Sequence, residues 1–361
     1  MSLTMSEIAE KIGVSTATIS RVLNGDRSVT PEMRERVMSA LEESGYHKRP
    51  RRSSARSRND RTVMIIVAQL HNPITLGFID GIRRRLADAG MKTVITLSDY
   101  SPETECDMLE YAGRGGYSGI FMLNAVECAR LLSLLDTVAA PVIFVNRYPR
   151  SRDCDVVTVD NYRTGYLATK YLTDRGHRAI AHIAGPRTSM TCRDRERGFG
   201  DAMRDAGLEC DPARCVFYGD RSYKSGCEVG ERIAAMPPDE RFTAVFSATG
   251  VMAAGMVDRL RAHGVRVPED VSVICSDDYS RDYMPCPIDF TTYEQDPGMM
   301  GETAAELMLE RAAHPARPPK CIVFPPVLTE HDSVRNKRVI SYCNPPPRYV
   351  LTEHDSVRNK G

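Results

Sequence analysis

The chain has 361 residues, with 48 Lys and Arg balanced by 48 Asp and Glu and 42% hydrophobic residues. At roughly 100–200 residues per domain, that length allows two or three domains with buried cores, and the composition excludes a disordered or fibrous chain. No apolar run approaches the ~18 residues of a membrane span, and Met1-Ser-Leu-Thr-Met-Ser-Glu7 has neither the basic nor the apolar region of a secretory signal. A cytoplasmic protein without a membrane partner is expected. Eleven cysteines lack any C-x-x-C pair, which points to reduced thiols rather than a disulfide framework or zinc ribbon. Eight histidines show no metal spacing, so neither a metal nor a cofactor is expected.

The neutral total hides an asymmetry. Residues 1–62 carry 12 Lys and Arg against 8 Asp and Glu, and seven of those basic residues fall between Lys48 and Arg61. A basic amino-terminal piece on a slightly acidic body suits a protein that presents one end to a polyanion, or simply carries a solvated linker.

In chain order, Thr4-Met-Ser-Glu7 reads as a capping box opening a first helix, with Ile8, Ala9 and Ile12 on its apolar face and Gly13 as its stop. Ser15 then caps a second helix whose stripe is Ile19, Val22 and Leu23. Thr30-Pro31 starts a third, with Val37, Met38 and Leu41 predicted inward and Gly45 as stop. Two short helices joined by a turn and closed by a third make a helix-turn-helix unit over residues 1–46. The second helix exposes small polar residues at its start, as a helix entering a major groove must.

The string Ile8-Ala9-x-x-x-Gly13-Val14-Ser15-x-Ala17-Thr18-Ile19-Ser20-Arg21-Val22-Leu23-Asn24-Gly25, followed by Val29-Thr30-Pro31 and Gly45-Tyr46, closely resembles the DNA-binding headpiece of the lactose-repressor (LacI/GalR) family. The resemblance implies that Thr16 and Ala17 stand where members vary base-reading side chains. Thr18 lies beside them, and Ser20, Arg21 and Asn24 match positions touching bases or phosphates. Thr4 and Ser15 sit at helix starts that face phosphates. Arg21 can make a charge-assisted contact, whereas Ala17 offers only a methyl group.

Residues 47–61 form a basic linker. The family places there a short hinge helix whose leucine wedges into the minor groove. Here Ser57 or Arg58 stands at the leucine position, so no leucine wedge is expected. Arg51, Arg52 and Arg56 either grip phosphates or a narrow minor groove, or belong to a tether.

From Thr62 apolar runs suited to parallel strands alternate with helical stretches. A first set runs to Val145 and a second starts near Val156, with predicted strands at 179–184, 214–218, 243–247, 271–276 and 321–324. Two such sets imply two lobes with a cleft between them. The α/β fold class is therefore a three-helix headpiece plus a two-lobed core over residues 62–334. Asn72-Pro73, Asp160-Asn161, Gly176-His177-Arg178, Arg195-x-x-Gly198-Phe199, Val267-Pro268-Glu269-Asp270-Val271 and Asp277-Asp278 resemble family landmarks. They imply a periplasmic-binding-protein-like core with effector residues Asn72, Arg147, Arg195, Arg221, Thr249 and Asp277. By this likeness Arg195 binds effector and Asp277 accepts from ligand hydroxyls or amines. Arg221 replaces a stacking aromatic of the family, and Thr249-Gly250 replaces Asn-Asp. Either Arg221 joins Arg195 on an anionic effector, such as a sugar acid or sugar phosphate, or it faces outward.

Residues Val327 to Lys337 recur as Val350 to Lys360. Only the first copy follows the last predicted strand, so residues 335–361 read as a disordered tail. No nucleophile elbow, Walker loop or H-E-x-x-H motif occurs, and Gly113–Gly119 has the order of a helix-to-strand turn, so an enzyme is not expected. The chain reads as a homodimeric, sequence-specific transcriptional regulator, a repressor of double-stranded pseudo-palindromic operator DNA, controlled by a sugar or sugar derivative. The alternative is a cytosolic small-molecule sensor without specific DNA readout.

Overall fold

The structure, a computed structural model, describes residues 5–23, 29–44, 61–277, 286 and 288–336. The chain divides into two compact units, residues 1–58 and 59–361.

The first unit holds α1 (Met5–Lys11), α2 (Thr16–Leu23) and α3 (Pro31–Glu43). Gly13 turns the chain between α1 and α2 at φ +66°, a conformation that costs a glycine nothing. The Ser15 hydroxyl caps α2 by accepting from the Thr18 amide at 3.0 Å, and Thr30 caps α3 through the Met33 amide at 3.4 Å. Ile8, Ala9, Ile19, Val22, Val37, Ala40 and Leu41 form the buried core, and Arg36 donates to the Ile12 carbonyl at 2.8 Å, tying α3 to α1. Met38 departs from its expected inward position. It is 42% exposed, because one helical position beyond Val37 turns it 100° from the core face.

Among the described residues, the second unit contains two six-stranded sheets. In lobe 1, β1 (Thr62–Val67), β2 (Lys92–Leu97), β3 (Gly119–Asn124), β4 (Val142–Arg147) and β5 (Asp155–Val159) alternate with α4 (Pro73–Asp88), α5 (Pro102–Arg114) and α6 (Ala129–Thr137). The chain then enters lobe 2 with α7 (Asn161–Asp174), β6 (Ile180–Ala184), α8 (Met190–Asp205), α9 (Pro212–Cys215), β7 (Val216–Tyr218) and α10 (Tyr223–Ala234). It continues there with β8 (Ala244–Ser247), α11 (Gly250–Ala262), β9 (Ser272–Ser276) and β10 (Thr291–Glu294). It returns to lobe 1 for α12 (Pro297–Ala313) and β11 (Cys321–Phe324), and ends the described part in lobe 2 with β12 (Val327–Thr329). The strand orders are β11-β5-β4-β3-β1-β2 and β12-β10-β9-β8-β6-β7. All pairings are parallel except β10 with β12. Three connections therefore cross between the lobes, and among the described residues no helix is long and apolar enough to span a membrane.

Several sequence expectations shift here. The second series does not begin at Val156: β5 and β11 pair with each other in lobe 1, and α12 packs there on α4. The reason is charge as well as apolar register. Asp155 on β5 accepts from Arg311 at 2.6 Å and Arg317 at 2.8 Å, and from the Lys320 amide. Burial raises that carboxyl, and the bonds from Arg311, Arg317 and Lys320 outweigh it, leaving its pKa lowered. The strand expected over 214–218 begins only at Val216, since Asp211-Pro212 caps a short helical turn first. The first repeat copy does not follow the last strand. Its opening residues are β12, and its Ser333 hydroxyl bonds the Val273 carbonyl and the Thr291 amide. Arg335, assigned from sequence to the tail, donates its amide to Ser272. The second copy lies outside the described residues.

Lobe 2 has a single large core around Phe199, Phe217, Phe246 and Phe290. Lobe 1 has two, one under α4 and α12 and one under α5 and α6, so each sheet carries helices on both faces.

Candidate functional site

In the headpiece α2 turns Ile19 and Val22 into the core while Ser15, Thr16, Ala17 and Arg21 are exposed. Thr18 is half-buried at the edge of that face, its hydroxyl paired with Ser15 at 2.9 Å. Thr16, Ala17 and Arg21 thus share one solvent face of one short helix, as a 3.6-residue period requires. Thr4, Asn24, Arg51, Arg52, Arg56 and the side chain of Ser20 lie outside the described residues.

In the body, backbone strain marks the cleft. All five non-glycine residues with positive φ among the described residues lie at or just beyond the carboxyl end of a strand: Asp99 and Tyr100 after β2, Asn146 in β4, Arg221 after β7, and Asp277 after β9. Such conformations cost energy and collect where function over-determines the backbone. In parallel sheets ligands bind at those strand ends.

Arg195 and Asp277 meet there. Arg195, on α8 and 8% exposed, donates from Nε to Asn161 at 2.9 Å, from Nη1 to the Ala248 carbonyl at 2.7 Å and from Nη2 to Asp277 at 3.4 Å. Asp277 also accepts from the Gln295 amide at 3.0 Å and its side chain at 2.9 Å. Burial pushes the Asp277 carboxyl up, and Arg195 and Gln295 oppose the rise. Glycines position the arginine: a Cβ on Gly165 of α7 would stand 2.0 Å from the Arg195 carbonyl, so only glycine lets α7 and α8 approach this closely.

Arg147, at the end of β4, is 6% exposed, and among the described residues its Nε has no hydrogen-bond partner. Burial and the neighbouring Arg221 charge push its pKa down to about 10. Arg221 lies 5.3 Å over the Tyr100 ring, so this contact joins lobe 2 to lobe 1. The two remaining expected residues are already in use: Asn72 caps α4 through the Ile74 amide and Thr249 caps α11 through the Met252 amide. Sequence reading does not single out Tyr100, Glu105 or Gln295, and takes Asn161 only as a landmark. Their contacts with Arg221, Val126, Asp277 and Arg195, respectively, span from 18 to more than a hundred residues, and no local spacing signals such contacts. A cavity of about 810 Å³ elsewhere, on lobe 2, is lined by Arg193, Arg197 and Arg204 and contains none of the six expected effector residues.

A family model described as bacterial regulatory proteins, lacI family, matches residues 4–49, and one described as periplasmic binding protein-like domain matches residues 169–334. Over 335 residues the chain is 30% identical to the HTH-type transcriptional repressor PurR of Vibrio cholerae serotype O1 (strain M66-2), spanning 92% of this chain and 98% of the relative. The chain belongs to the lacI family of bacterial regulatory proteins. This lacI-family protein is a DNA-binding transcriptional regulator with a ligand-binding body. Among solved structures, a transcriptional regulator CelR–cellobiose complex matches with a TM-score of 0.69 at 29% identity over 92% of this chain and 99% of that one. The lac repressor dimer bound to operator and the anti-inducer ONPF matches at 0.70 and 21% identity, over 93% and 100%, a likeness of fold.

Proposed function

We propose that this lacI-family regulator is a repressor that binds a pseudo-palindromic operator as a homodimer, and that a carbohydrate or sugar derivative in the cleft sets its operator affinity. The observation that carries the DNA half is the face of α2, where Thr16, Ala17 and Arg21 are exposed over a closed core. Within the headpiece of residues 1–46, Thr16 and Ala17 read base edges, and Arg21, Ser15 and Thr18 fix register on phosphates and neighbouring groups. Thr4, Ser20, Asn24, Arg51, Arg52 and Arg56 are further DNA contacts in this reading. In the core of residues 62–334, Arg195 and Asp277 hold ligand hydroxyls, since three of the five guanidinium N–H donors are committed to protein and two remain. Asn72 and Thr249 border the ligand from their capped helices. The relative bound to cellobiose and the repressors among the curated relatives support this reading.

Dimerisation follows from the edge of lobe 1. Edge strand β2 exposes Val94, Ile95 and Leu97 at 41–43%, an apolar edge that water-soluble sheets normally cover. A two-fold pair of these edges makes a dimer, and a dimer carries two headpieces for two half-sites.

Selection from a randomised duplex pool, then titration of the selected duplex with salt, tests the proposal. A sequence preference with steep loss of affinity as salt rises is expected. Binding to no duplex would leave a sensor without DNA readout. A thermal-shift screen of neutral sugars, sugar acids and sugar phosphates identifies the effector class.

A further inference from the structure

We infer that Arg147 and Arg221 together form a seat for a small oxyanion, the phosphate or carboxylate of the ligand that enters the cleft, so the effector is anionic at one end and hydroxylated at the other. The inference rests on the ligand-binding reading above and departs from both sequence expectations for Arg221, pairing with Arg195 or facing outward.

The arrangement is hard to account for without an anion. Arg147 is nearly fully buried with an unpartnered Nε, and among the described residues no carboxylate forms an ion pair with it or with Arg221. A desolvated guanidinium beside a second positive charge is unfavourable unless something negative joins them. The described carboxylate that feels Arg147 is Glu105. It is 3% exposed and already accepts from the Ser98 hydroxyl at 3.4 Å and the Val126 amide at 3.0 Å, while burial pushes its pKa up. It is a poor counter-charge.

The geometry around Arg221 fits an oxyanion. Its residue adopts φ +72°, a strained conformation outside glycine, and its Cγ would stand 3.4 Å from a Cβ on Gly185, so the side chain runs against the end of β6. The Arg221 guanidinium carbon lies 5.3 Å from the centroid of the Tyr100 ring, itself on a residue at φ +61°. A cation–π contact uses no N–H hydrogen bond, so the guanidinium can still bind phosphate or carboxylate in a bidentate manner. Arg147 comes from lobe 1 and Arg221 from lobe 2, so an anion between them draws the lobes together. Arg195 and Asp277, which meet at another strand end of the cleft, suit the hydroxylated end.

The test uses the full-length protein and melting curves at matched ionic strength with inorganic phosphate, glucose 6-phosphate, gluconate, glucose and chloride. Phosphate and at least one of the two sugar anions should raise the melting temperature above chloride, with the sugar anion effective at lower concentration, and glucose should not match it. Which of glucose 6-phosphate and gluconate acts distinguishes a phosphate from a carboxylate ligand. Arg221→Gln should weaken the anion effect by about tenfold or more, the loss of charge-assisted bonds. Arg147→Gln should abolish it while leaving the unliganded protein as stable as the parent or more so, because a buried uncompensated charge is removed. A structural arginine would give the opposite sign. Equal responses to phosphate and chloride, or anion responses unchanged in both variants, overturn the inference. Operator binding measured in parallel separates the two readings: a chain that binds its selected duplex yet ignores every anion keeps the regulator and loses the anion seat.

Discussion

At the scale of single residues, burial decides which charges are usable. His182 lies fully buried in the lobe 2 core, stacked on Phe246 at 4.6 Å and Phe199 at 5.2 Å between ring centroids, with Nδ1 3.0 Å from the Phe246 carbonyl. Burial pushes its pKa down to about 4 from the ordinary 6.5. The unfolded chain therefore binds a proton between those values that the folded chain refuses. Stability is full above about pH 6.5 and falls by up to about 3 kcal/mol as pH drops to 4. Urea unfolding of His182→Phe against the parent across that window should show a flatter pH dependence, and an unchanged slope would contradict the assignment. In the headpiece, Arg21 is the exposed charge on the α2 face proposed to meet DNA. Arg21→Ala should cost about 1–3 kcal/mol of operator affinity and lower the salt slope by about one counterion, as anisotropy titrations would read.

At the scale of elements, close approach and buried ion pairs hold the cleft in shape. Gly165 lets α7 and α8 touch at Arg195, so Gly165→Ala must push α8 outward and loosen the Arg195–Asn161 bond. The expected result is ligand binding weakened by about tenfold or more with folding retained, since a misplaced polar group loses its charge-assisted bonds. Calorimetry with the ligand from the thermal screen measures it. The crossover back into lobe 1 depends on Asp155 with Arg311 and Arg317, whose side chains are only 3%, 15% and 9% exposed. Removing the acid strands two buried cations, so Asp155→Ala should lower unfolding free energy by about 3–5 kcal/mol in denaturant titration. The headpiece elements were readable in advance because caps are local: Ser15 and Thr30 each satisfy an amide three residues on. Met38 is not legible for a related reason, since Val37 and Met38 are both apolar and only packing chooses between neighbours.

For the whole molecule, the exposed β2 edge predicts assembly. Ile95→Lys places a charge on that edge and should shift sedimentation from dimer to monomer, with operator affinity falling as two linked headpieces become one. A dimer undisturbed by this change would put the interface elsewhere.

The helix-turn-helix unit, the alternation of strands and helices, and the family are legible in the amino-acid order alone, because caps, turn residues and apolar periods act over a few positions. The same order also picks out Arg195 and Asp277, though as matched positions without partners. Which lobe receives β5, α12 and β11, that β12 returns antiparallel, and that Arg221 meets Tyr100 can be read only from the folded chain. Those outcomes depend on which strand edges and which desolvated charges find partners, an energy that exists only once residues far apart in the chain share one dry space.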